Sequence, residues 1–222
     1  TPRLHRGVVC SIHAGSTYTK SRMIKCILFD NNGVLTTNDK ENTYEVSAHY
    51  LGVSKSKVKK LFDPLVFDLD IGKLPQMDFY KTILRNAGVT KSAEEFARVH
   101  LHAYMPKKDN QELAKKLRRH YQIALLSNFG DAFWKMYKTW GLDHIFQKKE
   151  VFVSCDLGMA KPDPRIFHYV LKKLNLEPEE VVFIDDNKDN IRQAGDLGIH
   201  TILCTTHAKL VTSLKRLGGT ID

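Results

Sequence analysis

The sequence predicts an α/β fold in which helices cover both faces of a parallel sheet. Five short segments are apolar along their whole length instead of alternating with polar residues, which is typical of strands buried on both faces. Stretches with helical spacing of apolar residues separate them. The 222 residues, of which 42% are hydrophobic, favour one packed domain or one domain with an insert. The predicted strands span residues 24–30, 123–127, 151–154, 181–186 and 200–204.

Helices around these strands have recognisable ends. Pro164 lies early in the first turn of one helix, where its missing N–H is not needed. Gly141 and Gly198 directly follow two others, as glycines at helix C-termini commonly do. The predicted helices between and after the strands span residues 110–119, 131–140, 164–174, 189–197 and 207–217.

The stretch that follows the first strand is predicted to be helical only. Ser54 and Ser92 are candidate N-caps there. We therefore expect a core of residues 23–36 and 107–222, with a helical insert at 37–106. Residues 1–22 are basic, lack periodicity and contain no apolar signal segment, so we expect a flexible N-terminal extension and a native start near Met23. The predicted helices of the insert span residues 41–51, 54–62, 77–86 and 93–104.

The charge of the chain is modestly basic and unevenly distributed. The formal net charge is +9, and the four basic residues of the first 22 account for four of these charges, leaving 30 basic and 25 acidic residues elsewhere. The densest run, from Lys55 to Lys60, indicates one solvated helix face, so no nucleic-acid partner is expected. No apolar run reaches the roughly 18–20 residues that cross a bilayer, so no membrane partner is expected either. Four scattered cysteines suggest reduced thiols in a cytoplasmic protein. The sequence does not indicate an oligomeric state.

Polar residues follow four of the predicted strands at the point where each strand ends. Ligands of open α/β sheets bind beyond the carboxyl ends of the strands, so these residues are expected to converge. Each alone is a weak signal, because such residues also form turns and helix N-caps. Their joint placement on four strand ends is the stronger observation. They are Asp30, Asn31, Asn32 and Gly33 after the first strand, Ser127 and Asn128, Lys161 in Gly158–Pro162, and Asp185 and Asp186.

These residue types together favour magnesium and phosphate chemistry. Three neighbouring carboxylates repel one another unless a cation joins them. Hard oxygen ligands favour Mg2+, which keeps several waters and shares a substrate phosphate. Lys161 can neutralise a carboxylate and a phosphoryl oxygen, and Ser127 and the Gly33 region offer donors to phosphoryl oxygens. Asp30 is then available as a nucleophile that forms a covalent intermediate.

The same segments resemble the haloacid dehalogenase superfamily of hydrolases. The matching motifs are ILFDNNGVLT, LLSN, GMAKPDPRIF with Lys161, and VFIDDNKDNI, in the family's order and spacing from Met23 to the end of the chain. The resemblance implies a Rossmann-like three-layer α/β/α core in which the first strand is central. The insert is similar to the small, mobile α-helical cap of the family's first subclass. The implied mechanism passes through an aspartyl-enzyme.

The resemblance also implies a role for each motif residue. Asp30 is the nucleophile and a Mg2+ ligand, Asp186 is the other direct carboxylate ligand, and Asp185 supports the metal directly or through water. Ser127 and Asn128 hold the transferring group, with Gly33 beside them. Lys161 stabilises the charge on Asp30 and on the phosphoryl oxygens. The implied substrate is a small phosphorylated metabolite, and the implied cofactor is Mg2+.

Asn32 departs from the family pattern. Phosphatases of this family usually carry a second Asp there, which protonates the leaving oxygen and later deprotonates water, whereas the Asn32 backbone carbonyl can still reach the metal. Positioned acid/base catalysis is typically worth about 10²- to 10⁴-fold, so leaving groups that need no proton should suffer least. Three interpretations stay open: a working phosphohydrolase, an impaired relative that binds a phosphorylated ligand, and a 2-haloacid dehalogenase. The dehalogenase is disfavoured by Asp185 and Asp186, because family dehalogenases work without metal and usually lack this pair.

Two features of the insert have a structural and a functional interpretation. Residues 62–70 are unusually apolar and acidic, and they either face the active site or form the insert's own core; we favour the core. His100 and His102 lack metal-ligand spacing, so surface or packing roles are expected.

Overall fold

The computed structural model describes residues 23–37 and 40–217, so the expected extension at residues 1–22 lies outside the described residues. Its centre is a five-stranded parallel sheet with the order β3-β2-β1-β4-β5. The predicted fold class and the central position of the first strand are confirmed. The strands are β1 (Cys26–Phe29), β2 (Gln122–Ser127), β3 (Val151–Val153), β4 (Val181–Asp185) and β5 (His200–Leu203).

Alternate side chains of β1 enter two different apolar clusters. Ile27 and Phe29 belong to one cluster, and Cys26 and Leu28 to the other. All four side chains are buried, which explains why the strand is apolar throughout. Helices therefore cover both faces of the sheet, as in the predicted three-layer architecture.

Two groups of helices form the outer layers. One face is covered by helices whose residues share the cluster of Ile27 and Phe29, namely α5 (Lys108–Leu117), α6 (Phe133–Met136) and α10 (His207–Arg216). The opposite face is covered by α8 (Pro164–Leu174) and α9 (Lys188–Asp196). The short helix α7 (Ser154–Leu157) follows β3 directly. The helix predicted at 131–140 is wrong in extent, since only its middle is α-helical and turns flank it.

Four helices of the insert pack around an apolar cluster of their own. This cluster is centred on buried rings such as Phe62, Phe79 and Phe96. The helices are α1 (Lys40–Leu51), α2 (Lys55–Asp70), α3 (Gln76–Ala87) and α4 (Ala93–Leu101). The division of the chain into a core and a cap stays a prediction.

Helix α2 is longer than predicted. It begins after the N-cap Ser54, as expected, but it continues through Pro64 to Asp70 instead of ending at Phe62. Proline inside a helix removes one backbone hydrogen bond. The cost is offset because Phe62 and Leu69, on either side of Pro64, are both buried in the cluster of the insert. No helix among the described residues is long and apolar enough to cross a membrane.

Candidate active site

The carboxyl ends of three central strands bring the predicted residues to one edge of the sheet. Phe29 at the end of β1 pairs with Leu125 of β2 and with Ile184 of β4. The register therefore places Asp30 level with the end of β4. Asp30, Ser127 and Asp185 are all buried there.

Lys161 bridges two of these carboxylates. Its Nζ atom lies 2.6 Å from Asp30 Oδ1 and 2.8 Å from Asp185 Oδ2. A third hydrogen bond goes to the carbonyl oxygen of Leu126 at 2.9 Å. The exposed fraction of the side chain is 1% for Lys161, 8% for Asp30 and 0% for Asp185. One ammonium group thus uses all three of its donors within the site.

The main chain at Lys161 is fixed by Asn128. The Asn128 side chain accepts from the Lys161 N–H at 2.9 Å and donates to the Lys161 carbonyl at 2.8 Å. This pair of bonds joins the end of β2 to the loop that carries the lysine. Asn128 was predicted to hold the transferring group, and it lines the cavity described below. The two hydrogen bonds show that it also positions Lys161.

Burial and charge shift the pKa values of this cluster. Burial, opposed by Lys161 and reinforced by Asp185, raises the pKa of Asp30 to about 8. Burial also disfavours the charged form of Lys161, but the two neighbouring carboxylates raise its pKa above the ordinary value. Without further positive charge, the site holds more carboxylate than its one lysine neutralises, which is the condition that a bound cation relieves.

Oxygen atoms from Asp30, Asp185 and Asp186 lie within 4.8 Å of one another. Asp185 accepts hydrogen bonds from the Asn187 N–H at 2.7 Å and from Asn190 Nδ2 at 2.9 Å, so its orientation is fixed. The three carboxylates offer the hard oxygen donors that Mg2+ prefers. The donor set therefore fits the expected metal.

Gly33 makes room for Asp186. Its φ of +90° belongs to the left-handed region, and a Cβ atom at this position would collide with the Asp186 carboxylate. The loop after β1 and the loop after β4 therefore touch through a glycine backbone. The Gly33 carbonyl in turn accepts a hydrogen bond from Lys107 Nζ at 2.6 Å.

Two of the predicted residues have distinctive hydrogen bonding. Asn32 Oδ1 accepts from Thr36 Oγ1 at 3.0 Å and from Asn31 Nδ2 at 3.2 Å, which holds the amide plane. Ser127 Oγ is fully buried and has no hydrogen-bond partner within the described part of the chain. A buried hydroxyl without a partner is costly, and a ligand oxygen in this site would remove that cost.

Residues of the insert and of the core together line a cavity of about 370 Å³ at the site. Helix α2 contributes to the wall of this cavity. Residues 62–70 therefore face the site in part, in addition to forming the core of the insert, which was the favoured alternative. Phe62 and Leu69 both pack in the insert's core and line the cavity. His100 also lines it, while Tyr80 Oη lies 2.8 Å from His100 Nδ1 within the aromatic cluster, so the expected packing role is confirmed.

Several residues of the site escaped the sequence analysis. From the insert these include Thr43, Tyr44, Gln76 and Tyr104, which line the cavity beside Asp63 and Asp70 of the segment 62–70. No short motif marks them, because Thr43 and Tyr44 lie on α1, Gln76 begins α3 and Tyr104 lies in the loop after α4. Anchors of the loop after β1 also escaped notice: besides Lys107, Asn110 donates to the Val34 carbonyl at 2.6 Å and Gln111 to the Leu35 carbonyl at 3.1 Å. Their polarity on an otherwise buried helix face was the available signal.

Comparison with known proteins agrees with this geometry. The family model for haloacid dehalogenase-like hydrolases matches residues 24–198. The chain belongs to the haloacid dehalogenase-like hydrolase family. The match covers the strands from β1 to β4 and the strand-end residues from Asp30 to Asp186, in a family of enzymes.

Individual relatives differ in how much of the chain they match. Rat bifunctional epoxide hydrolase 2 is 43% identical over 67 residues, or 30% of this chain, and the match spans only 12% of that protein. A D-ribitol-5-phosphate phosphatase from Bacteroides thetaiotaomicron is 27% identical over 192 residues, covering 81% of this chain and 91% of its own length. A solved family enzyme from the same bacterium, in complex with magnesium and inorganic phosphate, is 27% identical with a TM-score of 0.72, over 82% of this chain and 94% of that one.

Proposed function

We propose that this chain hydrolyses a small phosphate ester in a Mg2+-dependent reaction that passes through an aspartyl-phosphate at Asp30. The observation that carries the proposal is the buried contact of Lys161 with both Asp30 and Asp185, beside the carboxylate of Asp186. A structural ion pair does not require a second and a third carboxylate around one lysine. The relatives named above that act on or bind phosphate support the same chemistry.

In this proposal, Asp30, Asp185, Asp186 and the backbone carbonyl of Asn32 would hold Mg2+. When bound, it would supply positive charge that offsets the negative charge of the phosphoryl oxygens. Mg2+ is commonly bound by a few protein oxygen atoms together with oxygen atoms of a substrate phosphate, and this set of residues suits that mode of binding.

The chain's own residues perform the two displacement steps. An Asp30 carboxylate oxygen attacks phosphorus, and the bond from phosphorus to the ester oxygen breaks with its electron pair leaving on that oxygen. Lys161 offsets negative charge on Asp30 and on the phosphoryl oxygens. Ser127 Oγ, Asn128 and the Gly33 backbone orient the group. Water then attacks phosphorus, releasing inorganic phosphate and restoring the Asp30 carboxylate.

The helical insert acts in this proposal as a cap over the site. Its residues line the same cavity as Asp30, so closure of the insert would exclude bulk water and contact the organic part of the substrate. The cavity volume of about 370 Å³ favours a small phosphorylated metabolite over a macromolecule. We extend the proposal to a cytoplasmic location.

The test is turnover of 4-nitrophenyl phosphate with Mg2+ and with a chelator. We expect Asp30→Asn to reduce hydrolysis to background, because the amide is a poor nucleophile. Asp68→Asn is a matched control, since Asp68 is exposed on α2 and does not line the cavity. Full activity of Asp30→Asn would reject the assignment of the nucleophile.

The other two interpretations give different results in the same assay. A chain that only binds phosphorylated ligands would bind phosphate with Mg2+ but turn over no ester of a broad panel. A dehalogenase would release halide from 2-haloacids in the presence of the chelator. The three carboxylates argue against the latter, because they would repel one another in a site without metal.

A further inference from the structure

The side chain of Asn32 is oriented so that its amide nitrogen is the atom left for a ligand. Its oxygen is already occupied by hydrogen bonds from Thr36 Oγ1 and Asn31 Nδ2. Asn32 lines the cavity, so Nδ2 can donate a hydrogen bond to a leaving oxygen there. An amide does not transfer its proton near neutral pH, so the leaving oxygen must depart as an anion or take a proton from water.

The titratable rings of the insert do not replace the missing acid. Burial lowers the pKa of His100 to about 4, so its ring is neutral at physiological pH. Burial and the nearby Asp70 raise the pKa of Tyr104 to about 12. Burial and its hydrogen bond to Asp63 raise the pKa of Tyr44 still further. The cavity is therefore suited to esters whose alcohol is a stable anion.

Part of the cavity lining is aromatic. Tyr44 and Phe62 of the insert meet edge to face with their ring centroids 5.9 Å apart, and Tyr104 packs in the same way on Phe129 of the core at 5.7 Å. All four rings line the cavity. Such surfaces favour a further aromatic ring in an edge-to-face or offset arrangement. The volume of about 370 Å³ is at the small end of ligand pockets.

The same wall carries negative charge. Asp63 and Asp70 line the cavity from α2, and Asp63 accepts a hydrogen bond from Tyr44 Oη at 2.8 Å. A substrate with a second anionic group would place it among these carboxylates and be repelled. The organic part of the substrate is therefore uncharged or positively charged.

We propose that the substrates of this site are aryl phosphates without a second anionic group, whose phenolic oxygen leaves beside Asn32 while the ring lies against Tyr44, Phe62, Tyr104 and Phe129. This inference rests on the proposed hydrolysis. Beyond hydrolysis itself, we infer that Asn32 and the aromatic rings of the cavity both favour a phenolate leaving group. The phenolate takes a proton from solvent after it departs.

Four phosphate esters separate the two requirements. Phenyl phosphate has both a ring and an acidic leaving group, benzyl phosphate has only the ring, acetyl phosphate has only the acidic leaving group, and propyl phosphate has neither. The measurement is kcat/KM for each ester with the native chain and with Asn32→Asp. The hydrogen bonds that hold Asn32 Oδ1 would equally hold a carboxylate oxygen, so the variant places an acid where the amide stands.

We expect the native chain to favour phenyl phosphate over benzyl phosphate strongly. Asn32→Asp should raise kcat/KM for benzyl and propyl phosphate much more than for phenyl and acetyl phosphate, so that the phenyl-to-benzyl ratio falls by about 10²- to 10⁴-fold. A native chain that hydrolyses propyl phosphate as well as phenyl phosphate overturns the inference, and so does an unchanged ratio in the variant. Because the series with the native chain needs no variant, it remains decisive if Asn32→Asp fails to fold.

The ring requirement has its own variant. Tyr44→Leu removes one face of the aromatic wall, so KM should rise several-fold for phenyl and benzyl phosphate and stay unchanged for acetyl and propyl phosphate. Tyr50→Leu, on the same helix but outside the cavity lining, is the matched control. Equal changes in KM for all four esters, or none, would overturn the assignment of the wall.

The charge requirement is tested with 4-carboxyphenyl phosphate. We expect it to be a poorer substrate than phenyl phosphate, and Asp63→Asn should narrow the difference several-fold whereas Asp68→Asn should not. Equal use of the two esters by the native chain contradicts the exclusion of a second anion. If the native chain hydrolyses neither these esters nor 4-nitrophenyl phosphate with Mg2+, the proposed function itself fails and takes the inference with it. Hydrolysis of 4-nitrophenyl phosphate without a preference for phenyl phosphate over the other esters rejects the inference alone.

Discussion

The two walls of the cavity are stabilised in different ways. On the sheet side, Lys161, Asp30 and Asp185 are nearly inaccessible to solvent, and short hydrogen bonds fix each of them. On the insert side, Tyr44 and Tyr104 are partly exposed and are held mainly by ring packing. Buried charges depend strongly on their partners, whereas half-exposed rings tolerate change. The sheet side is thus suited to fixed chemistry and the insert side to variable recognition.

The largest effect is expected at the centre of the sheet side. Lys161→Met leaves two buried carboxylates without their cation, so the free energy of unfolding should fall by about 3–5 kcal/mol in the presence of a chelator. Mg2+ should restore part of this loss. The check is chemical denaturation with and without Mg2+, with the exposed Lys172→Gln as control. A small decrease in the free energy of unfolding that does not depend on Mg2+ would show that the buried charges of the sheet side are no more important for stability than the rings of the insert side.

On the insert side, the buried His100 should make stability depend on pH. Its pKa is lowered from 6.5 to about 4 by burial, so the unfolded chain binds this proton more readily than the folded chain between these values. Stability conferred by the neutral ring is full above pH 6.5 and is lost as pH falls towards 4, by about 3 kcal/mol in all. His100→Gln should flatten this part of the curve relative to the native chain, and the exposed His102→Gln should not. Parallel curves for all three proteins would contradict the assignment.

Two glycines with similar backbone angles allow a matched test of the sheet side. Gly33 and Gly52 have φ values of +90° and +68°, but only Gly33 faces a close neighbour, Asp186. Alanine at either position is strained, and at Gly33 it must also displace Asp186, so Gly33→Ala should lose about 1–3 kcal/mol more than Gly52→Ala. Mg2+ affinity, followed by titration calorimetry, should fall only in Gly33→Ala. Equal Mg2+ affinity in the two variants would contradict the inference that Gly33 makes room for a metal-binding carboxylate.

The smallest effect is expected at the rim of the insert side. Tyr44→Phe removes the hydrogen bond to Asp63 but keeps the ring packed on Phe62. Because Asp63 is exposed, the loss in the free energy of unfolding should be about 0.5–1 kcal/mol. A thermal melt of the variant beside the native chain measures it. A loss as large as that of Lys161→Met would show that the rim is as tightly coupled as the sheet side.

The sequence predicted the sheet side far better than the insert side. Asp30, Ser127 and Asp185 each end an apolar strand, and parallel strands bring their carboxyl ends together whatever the packing details. The walls contributed by the insert could not be predicted in this way. Tyr44 lies on α1, Asp63 on α2 and Tyr104 in the loop after α4, and their convergence depends on how these segments pack. Helix α2 was predicted to end at Phe62, yet burial of Leu69 outweighs the cost of Pro64.

By itself the sequence determined the α/β class and the strand-end residues, because apolar strands and their ends are local properties. The central position of the first strand was expected only from the family resemblance. Only the tertiary structure decided that Lys161 joins Asp30 to Asp185, that Gly33 lies against Asp186 and that Asn32 turns its oxygen towards Thr36. These contacts link segments whose distance and orientation are set by the packing of the whole chain. The physical reason is that hydrogen bonds and charge pairs depend on ångström-scale placement, which a residue pattern does not encode.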